Sequence, residues 1–414
     1  MVYQPPVGAR DLLPLDVAQK RWIEDRLQQV FHRWGYHRII TSTLERLDTL
    51  MAGGAIQRST VLQLQDQEEE LGLRPELTAS IARTAVTRMA GATYPLRLYY
   101  NANVFRRAQE SSHNRQQEFY QAGVELLGNG GRLADTEILL LLLDCLQSLG
   151  LSQWSLVLGE AGLTRSLLSP FPEAIQPTIR HAIANLDRVT LETLPLSSEL
   201  RDRALLLLDL RGNPATVLQK VAQLPDLDAS QQQSLNNLKA LVELLASAPP
   251  PLPTPHALIL DLSLIQTLDY YTGIVFEVVH EHASGLQVLG QGGRYDQLLG
   301  LYHPQGQSLP GIGFALQIEH LHQVLVPTGQ LPQQTPAIDW LVVPESPPAY
   351  AQALLYAQQL RAADTLVRVE LALGDRPATE VQDYANHRRI RNIAWIAANG
   401  DAKVTENLDE NGRG

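Results

Sequence analysis

The chain has 414 residues, 44% of them hydrophobic, enough for two or three domains with ample core. Its 33 Lys+Arg stand against 44 Asp+Glu, a net charge of −11, and no Lys/Arg-rich run appears, so the positive surface that a nucleic-acid partner needs is disfavoured. The single cysteine, Cys145, rules out an intramolecular disulfide or a cysteine-based zinc site; the start lacks a basic, apolar leader and no run of about 18 apolar residues exists, so a cytoplasmic protein with no membrane partner is expected.

Residues 1–15 are too rich in proline for a helix. Apolar Ile23, Leu27, Val30, Phe31 and Trp34 then recur at helical spacing, which predicts a helix over 16–34, a left-handed cap at Gly35 and a strand over 37–41. Residues 60–65 alternate like a strand, 66–70 form an acidic turn, and Leu73-Arg74-Pro75-Glu76-Leu77-Thr78 leads into a helix over 79–89. Glu76 and Thr78 lie two apart around a bend, so a carboxylate and a hydroxyl can address one ammonium; the alternative is that Glu76 caps the helix. A strand over 96–101 runs into Val104-Phe105-Arg106-Arg107, and a polar loop returns as a strand over 117–127. The guanidinium of Arg106 suits a carboxylate. On the returning strand Gln121, Gly123 and Glu125 are spaced by two and face one side, the glycine leaving room between two polar arms. A polar and acidic face flanked by Leu126 and Leu127 points to a ligand.

A helix over 132–150 with Cys145 in its core and a strand over 154–158 precede 163–246, which read as almost wholly helical and carry no chemical motif. The proline-rich run 248–255 is a stiff linker. Two strand-like runs, 258–264 and 274–280, flank Asp269-Tyr270-Tyr271, whose hydroxyls hydrogen-bond without carrying charge. Gly292 and Gly293 then let the backbone pass close to a ligand where a Cβ would collide. Together they describe a floor for a small polar molecule. A glycine-rich strand at 311–317 opens into a helix with His320 and His322; these and His280 and His282 lack a third ligand at sensible spacing, so no metal is assigned. From 338 the pattern is strand, helix, strand, helix, strand, and 401–414 reads as a flexible tail.

Leu268-Asp269-Tyr270-Tyr271-Thr272-Gly273-Ile274-Val275-Phe276-Glu277, followed by Gly292-Gly293-Arg294-Tyr295-Asp296, resembles the histidine-recognition signature of class II histidyl-tRNA synthetases. The segments at 8–14, 73–78, 96–107, 121–125 and 311–321 are similar to that family in the same order, so the resemblance covers roughly 5–160 and 255–325. It implies an α+β class II aminoacyl-tRNA synthetase-like fold, a six-stranded antiparallel sheet flanked by helices. The core would take 1–163 and 255–330, a helical insertion 164–247, a linker 248–256, and a small α/β unit like a shortened anticodon-binding domain 335–400. It also implies a histidine site of Glu76, Thr78, Arg106, Gln121, Glu125, Tyr270, Tyr271 and Tyr295, with Glu76 on the amino group and Arg106 on the carboxylate. The helix–strand pair at 16–41 would form a dimer interface, although Ser42 and Thr43 stand where the family has a proline.

Three positions depart from the synthetase pattern: Ala108 replaces a glutamate on the adenine side, and Gln266 and His320 replace arginines that act on the phosphates. A positioned arginine on a transferring phosphoryl group contributes on the order of a thousandfold or more, so their loss leaves a pocket without catalytic residues or a cofactor. The chain is thus similar to the catalytically incomplete synthetase paralogues that serve as regulatory subunits of ATP phosphoribosyltransferase. That resemblance implies a subunit that binds L-histidine and joins, as a homodimer within a hetero-oligomer, a short-form ATP phosphoribosyltransferase catalytic subunit. It would activate that partner and confer feedback inhibition on the first step of histidine biosynthesis. Two other readings stand beside it: an active histidyl-tRNA synthetase, which needs a basic tRNA-facing surface, and a synthetase-like protein acting on another substrate or on uncharged tRNA.

Overall fold

The computed structural model describes residues 3–54, 56–65, 69–108, 116–224, 227–248, 257–264, 270–282, 285–374 and 376–407, in two compact units divided between Pro332 and Gln333. The first unit opens with α1 (Pro14–Arg33), β1 (His37–Arg38), β2 (Leu44–Arg46), α2 (Leu47–Met51), β3 (Leu62–Gln65), β4 (Glu70–Leu73) and α3 (Thr78–Thr87). The long pair β5 (Leu96–Phe105) and β6 (Glu118–Leu127) follows, then α4 (Arg132–Ser148), β7 (Ser155–Glu160) and α5 (Ala161–Leu168). Next are α6 (Gln176–Ala184), α7 (Arg188–Thr193), α8 (Ser198–Leu208), β8 (Arg211–Gly212), α9 (Pro214–Ala222) and α10 (Ala229–Ser247). The unit closes with β9 (Leu258–Asp261), β10 (Ile274–His282), β11 (Gly285–Arg294), α11 (Leu298–Tyr302), β12 (Gly311–Gln317) and α12 (Ile318–Leu325).

Strands β5-β6-β12-β11-β10-β7 run antiparallel throughout and form the expected six-stranded core. Parallel β1 extends it at one edge, and parallel β9 with β8 at the other, to nine strands. Only two residues of the strand expected over 37–41 pair. A separate antiparallel sheet, β2-β4-β3, lies before α3 in the chain.

The strand period decides which face is core. On β6, Ala122, Val124 and Leu126 are buried in the main hydrophobic cluster, whereas Gln121, Gly123 and Glu125 point the other way. Against the apolar face packs α1 through Ile23, Leu27, Val30 and Phe31, and Gly35 at φ +76° ends that helix as expected. Helix α4 contacts both α1 and α10, so its leucines are buried around most of its circumference, Cys145 with them. Ile179, Leu207, Val217 and Leu238 of the helical stretch belong to the same cluster, so the segment expected as an insertion at 164–247 is continuous in packing with the sheet.

The second unit contains β13 (Ile338–Pro344), α13 (Tyr350–Arg361), β14 (Val369–Leu371), α14 (Ala378–Arg388), β15 (Ile390–Ile396) and β16 (Ala402–Glu406), in sheet order β14-β13-β15-β16. Its βαβαβ order follows the sequence pattern, with α13 and α14 packed against different apolar clusters. The tail expected from 401 is different: Ala402–Glu406 pairs antiparallel with β15, because Val404 and Thr405 continue a strand that the polar composition around them masks. Residues 408–414, the linker at 249–256 and the segment 265–269, which includes Gln266, lie outside the described residues.

Candidate ligand-binding site

A cavity of about 440 Å³ opens on the face of the sheet that carries Gln121 and Glu125. Glu76, Thr78, Arg106, Gln121, Glu125, Tyr270, Tyr271 and Tyr295 all line it, although they come from segments up to 219 positions apart, as 295 is from 76.

Glu125 is at its centre and 1% exposed. Its Oε1 accepts a hydrogen bond from the Thr78 hydroxyl at 2.8 Å, and its Oε2 accepts one from the Tyr295 hydroxyl. Gly313 faces it across β12: a Cβ there would lie 2.0 Å from Oε2, so only glycine admits the carboxylate. Burial pushes the Glu125 carboxyl up to about 8, opposed by the hydrogen bonds from Tyr295 and Thr78 and reinforced by the charge of Glu76.

Glu76 takes the capping role and also borders the cavity. It caps α3, with Oε2 accepting from the Thr78 amide at 2.5 Å and Oε1 from the Ala79 amide at 2.9 Å, and it lines the cavity. Burial raises its carboxyl, while those backbone donors hold the charge back. Thr78 therefore serves two carboxylates at once. Its amide belongs to Glu76 and its hydroxyl hydrogen to Glu125, which leaves the Thr78 oxygen as an acceptor for a ligand. Arg106 donates through Nε to the Pro75 carbonyl at 3.0 Å, which orients its guanidinium at the cavity.

Gln121 is 2% exposed and its Oε1 has no hydrogen-bond partner among the described residues. Tyr270 stacks edge-on against Tyr271 at 4.9 Å and lies 5.6 Å from Tyr295, making an aromatic wall. Burial, and then the nearby carboxylates, pushes all three tyrosine hydroxyls upward, so they stay neutral.

Two expectations need correction. Gly292 lines the cavity, and a Cβ there would also meet the Gly313 carbonyl at 2.3 Å and the Phe276 ring at 2.6 Å; Gly293 is outside the lining, and the room beside it is taken by the Tyr271 ring, 2.7 Å from a Cβ. The space beside Gly123 is likewise filled, by Tyr100, whose hydroxyl would be 2.5 Å from a Cβ there. Tyr100 is fully buried, lines the cavity and was not among the expected residues. Its signal is the register of β5 and β6, which sets Tyr100 opposite Gly123, an aromatic seated over a glycine across the ladder.

Neither of the two substituted positions among the described residues, Ala108 and His320, lines the cavity. Gln266 is outside the described residues. His320 is turned to β11, with Nδ1 2.6 Å from the Val288 carbonyl oxygen, because α12 directs this side chain to the end of that strand that pairs with β10 but extends beyond its pairing with β12. The lining also includes Leu50, Gly53, Gly54, Ile56, Gln57 and Thr60, all uncharged, with Gly53 against the Tyr270 ring; no sequence pattern singles this stretch out. Among the described residues no group of three or more His, Cys, Asp or Glu could hold a metal ion, and no helix is long and apolar enough to cross a membrane.

The histidyl-tRNA synthetase family model matches residues 8–321. The ATP phosphoribosyltransferase regulatory subunit of Nostoc punctiforme is 68% identical over 405 residues, 98% of this chain and 99% of that one. That of Gloeothece citriformis is 61% identical over 408 residues, with the same coverage of 98% and 99%. A solved structure from Bacillus halodurans C, described as an ATP phosphoribosyltransferase regulatory subunit/histidyl-tRNA synthetase, matches with a TM-score of 0.79 at 27% identity, covering 96% of this chain and 99% of that one. The histidyl-tRNA synthetase of Nostoc sp. PCC 7120, at 20% identity and a TM-score of 0.77 over 98% of this chain and 97% of its own, shares the fold. The chain therefore belongs to the ATP phosphoribosyltransferase regulatory subunits, a family built on the class II histidyl-tRNA synthetase fold.

Proposed function

We propose that the cavity binds free L-histidine without activating it, and that its occupancy controls a short-form ATP phosphoribosyltransferase catalytic subunit. The subunit would activate that partner and make the first step of histidine biosynthesis sensitive to its end product. The observation that carries this reading is the acceptor set on β6: the buried Glu125 carboxylate beside the partnerless Gln121 oxygen. An unmet buried acceptor costs about 1–3 kcal/mol, which a ligand rich in N–H donors removes. Histidine supplies such donors at both ends. Its ring N–H meets Glu125 beside the tyrosine wall, its ammonium meets Glu76, the Thr78 oxygen and Gln121, and its carboxylate meets Arg106.

The chemistry of adenylation is poorly served by the same chain. Ala108 and Gln266 stand where synthetases carry a glutamate and an arginine, and His320 is bonded to a strand carbonyl. Control of a partner requires that histidine favour one assembly state over another, a coupling typically worth about 1–3 kcal/mol. We place the homodimer contact of that assembly on α1 and the strand that follows it.

Calorimetric titration with histidine, separately with ATP, and again with the short-form catalytic subunit present tests the reading. Histidine binding without ATP, weakened by Glu125→Ala and matched by inhibition of the partner, is the expected result. Tight ATP binding with pyrophosphate release in the presence of histidine would restore the synthetase.

A further inference from the structure

We infer that the empty cavity carries one proton shared between Glu125 and Glu76 and that histidine displaces it, so that histidine sensing strengthens as pH rises through the neutral range. This inference rests on the histidine reading above and adds a mode of regulation to it.

The geometry is one of two carboxylates facing a single cation. Among the described residues Arg106 is the one guanidinium in the lining, just after β5, and its Nε is already committed to the Pro75 carbonyl. The groups that face Glu125 are Glu76 ahead of α3, Tyr100 on β5, Tyr295 after β11, and Tyr270 and Tyr271 ahead of β10. All but Glu76 are neutral hydroxyls. Thr78 ties the two carboxylates together, its amide on one and its hydroxyl on the other. Two ionised carboxylates bridged by one threonine repel each other, and Glu125, at 1% exposure, has little access to solvent that could disperse its charge, so one proton stays on the pair.

Where that proton sits follows from the donors. Glu76 receives two backbone N–H groups, which cannot turn away and which stabilise its charge. Glu125 receives only hydroxyls, and a hydroxyl can rotate to accept when the carboxyl is protonated. The raised Glu125 carboxyl agrees with this placement.

At neutral pH histidine enters with a charged ammonium, a charged carboxylate and a neutral ring. Its ammonium and ring N–H supply the positive character that the pair lacks, both carboxylates ionise, and the displaced proton passes to solvent. Protein with one proton plus histidine gives the complex plus one free proton.

Calorimetric titration of the full chain with histidine between about pH 6.5 and about pH 8.5, in two buffers of different ionisation enthalpy, tests this. The expected result is release of about one proton per histidine near neutrality and an affinity that rises by up to about tenfold per pH unit below the Glu125 midpoint, then levels off. Tyr295→Phe removes a donor to the ionised carboxylate, so its profile should shift to higher pH. Binding that is equally tight across the range, with no buffer dependence, would mean that the proton stays in the complex; it would overturn this inference and leave the histidine reading standing. A Tyr295→Phe profile that does not move assigns the proton to another group and overturns it as well. Absence of histidine binding at every pH would remove the histidine reading itself.

Discussion

Two parts of the cavity lining differ in how their side chains are held. Around Glu125 polar groups are tied to one another: Thr78 bonds both carboxylates, Tyr295 bonds Glu125, the Pro75 carbonyl orients Arg106, and a Cβ at Gly313 would collide with the Glu125 carboxylate and the Val124 carbonyl, while the Gln121 oxygen and the Tyr270 hydroxyl have no partner among the described residues. The part built from Leu50, Gly53, Gly54, Ile56, Gln57 and Thr60 carries no charge. On the histidine reading proposed above, recognition depends on groups around Glu125 whose loss would leave partners unsatisfied, at a cost to folding of about 1–3 kcal/mol each. Handling of phosphates depends on single cationic side chains, and these can be replaced one at a time while the fold stays intact. A synthetase fold can therefore lose its chemistry and keep its pocket.

The largest expected effect bears on the part around Glu125. Glu125→Ala removes the ring acceptor and strands two hydroxyls, so histidine affinity measured by calorimetry should fall at least about 100-fold, or about 3 kcal/mol. Alanine at Gln57 should change it little, and an equal loss there would break the contrast between the two parts.

Next in size is a pH dependence of stability. The Glu125 carboxyl rises from its ordinary 4.5 to about 8 in the folded, ligand-free protein, so the folded state binds this proton more tightly than the unfolded chain does. Its stabilising contribution is complete below the unfolded value and is lost as pH rises through the folded one. The ligand-free protein should thus lose about 2–3 kcal/mol between about pH 5 and about pH 8 by this route, and Glu125→Gln should flatten that part of the slope in denaturant unfolding.

A smaller effect is expected at Arg106, whose guanidinium donates through Nε to the Pro75 carbonyl and lies over the Phe119 ring. Arg106→Lys keeps the charge but loses the planar fork, so histidine should bind about tenfold more weakly, or about 1.4 kcal/mol. Histidinamide, which lacks the carboxylate, should not distinguish the variant from the parent; if it does, Arg106 supports the pocket wall and reads no carboxylate.

Much of this contrast was legible in the sequence, for physical reasons that differ from residue to residue. Gln121, Gly123 and Glu125 stand out because a period of two places polar side chains where a buried strand should be apolar, and α1 because its apolar residues repeat at helical spacing. Tyr100 escaped notice because its role exists only across the ladder, opposite Gly123, and no local pattern encodes strand register. At Gly292 and Gly293 the sequence shows that a Cβ is absent but not which neighbour needs the room: Gly292 lines the cavity, whereas Gly293 makes way for the Tyr271 ring. Strand β16 was hidden for a similar reason: five residues of mixed polarity form a strand only because β15 offers them an edge. His320 marks the limit of reading by position. Its place after Glu319 was apparent, but the direction of its side chain is set by where α12 meets the end of β11.

That direction gives the smallest expected effect and the sharpest test of the contrast. Returning synthetase-like residues with Ala108→Glu and His320→Arg restores charge to the nucleotide side on paper. Position 108 lies outside the cavity lining, however, and the side chain at 320 sets out toward the Val288 carbonyl. An arginine there would begin its path on the surface beside β11, and Gln266 would still lack a guanidinium. The double variant should therefore show no ATP binding by calorimetry and no pyrophosphate release with histidine, and its histidine affinity should stay within about 0.5 kcal/mol of the parent, as for substitutions away from the binding groups. Pyrophosphate release by this variant would mean that a nucleotide site persists apart from two side chains, and the loss of chemistry would then be one of residue identity alone, with no difference in how the fold holds the two sets of groups.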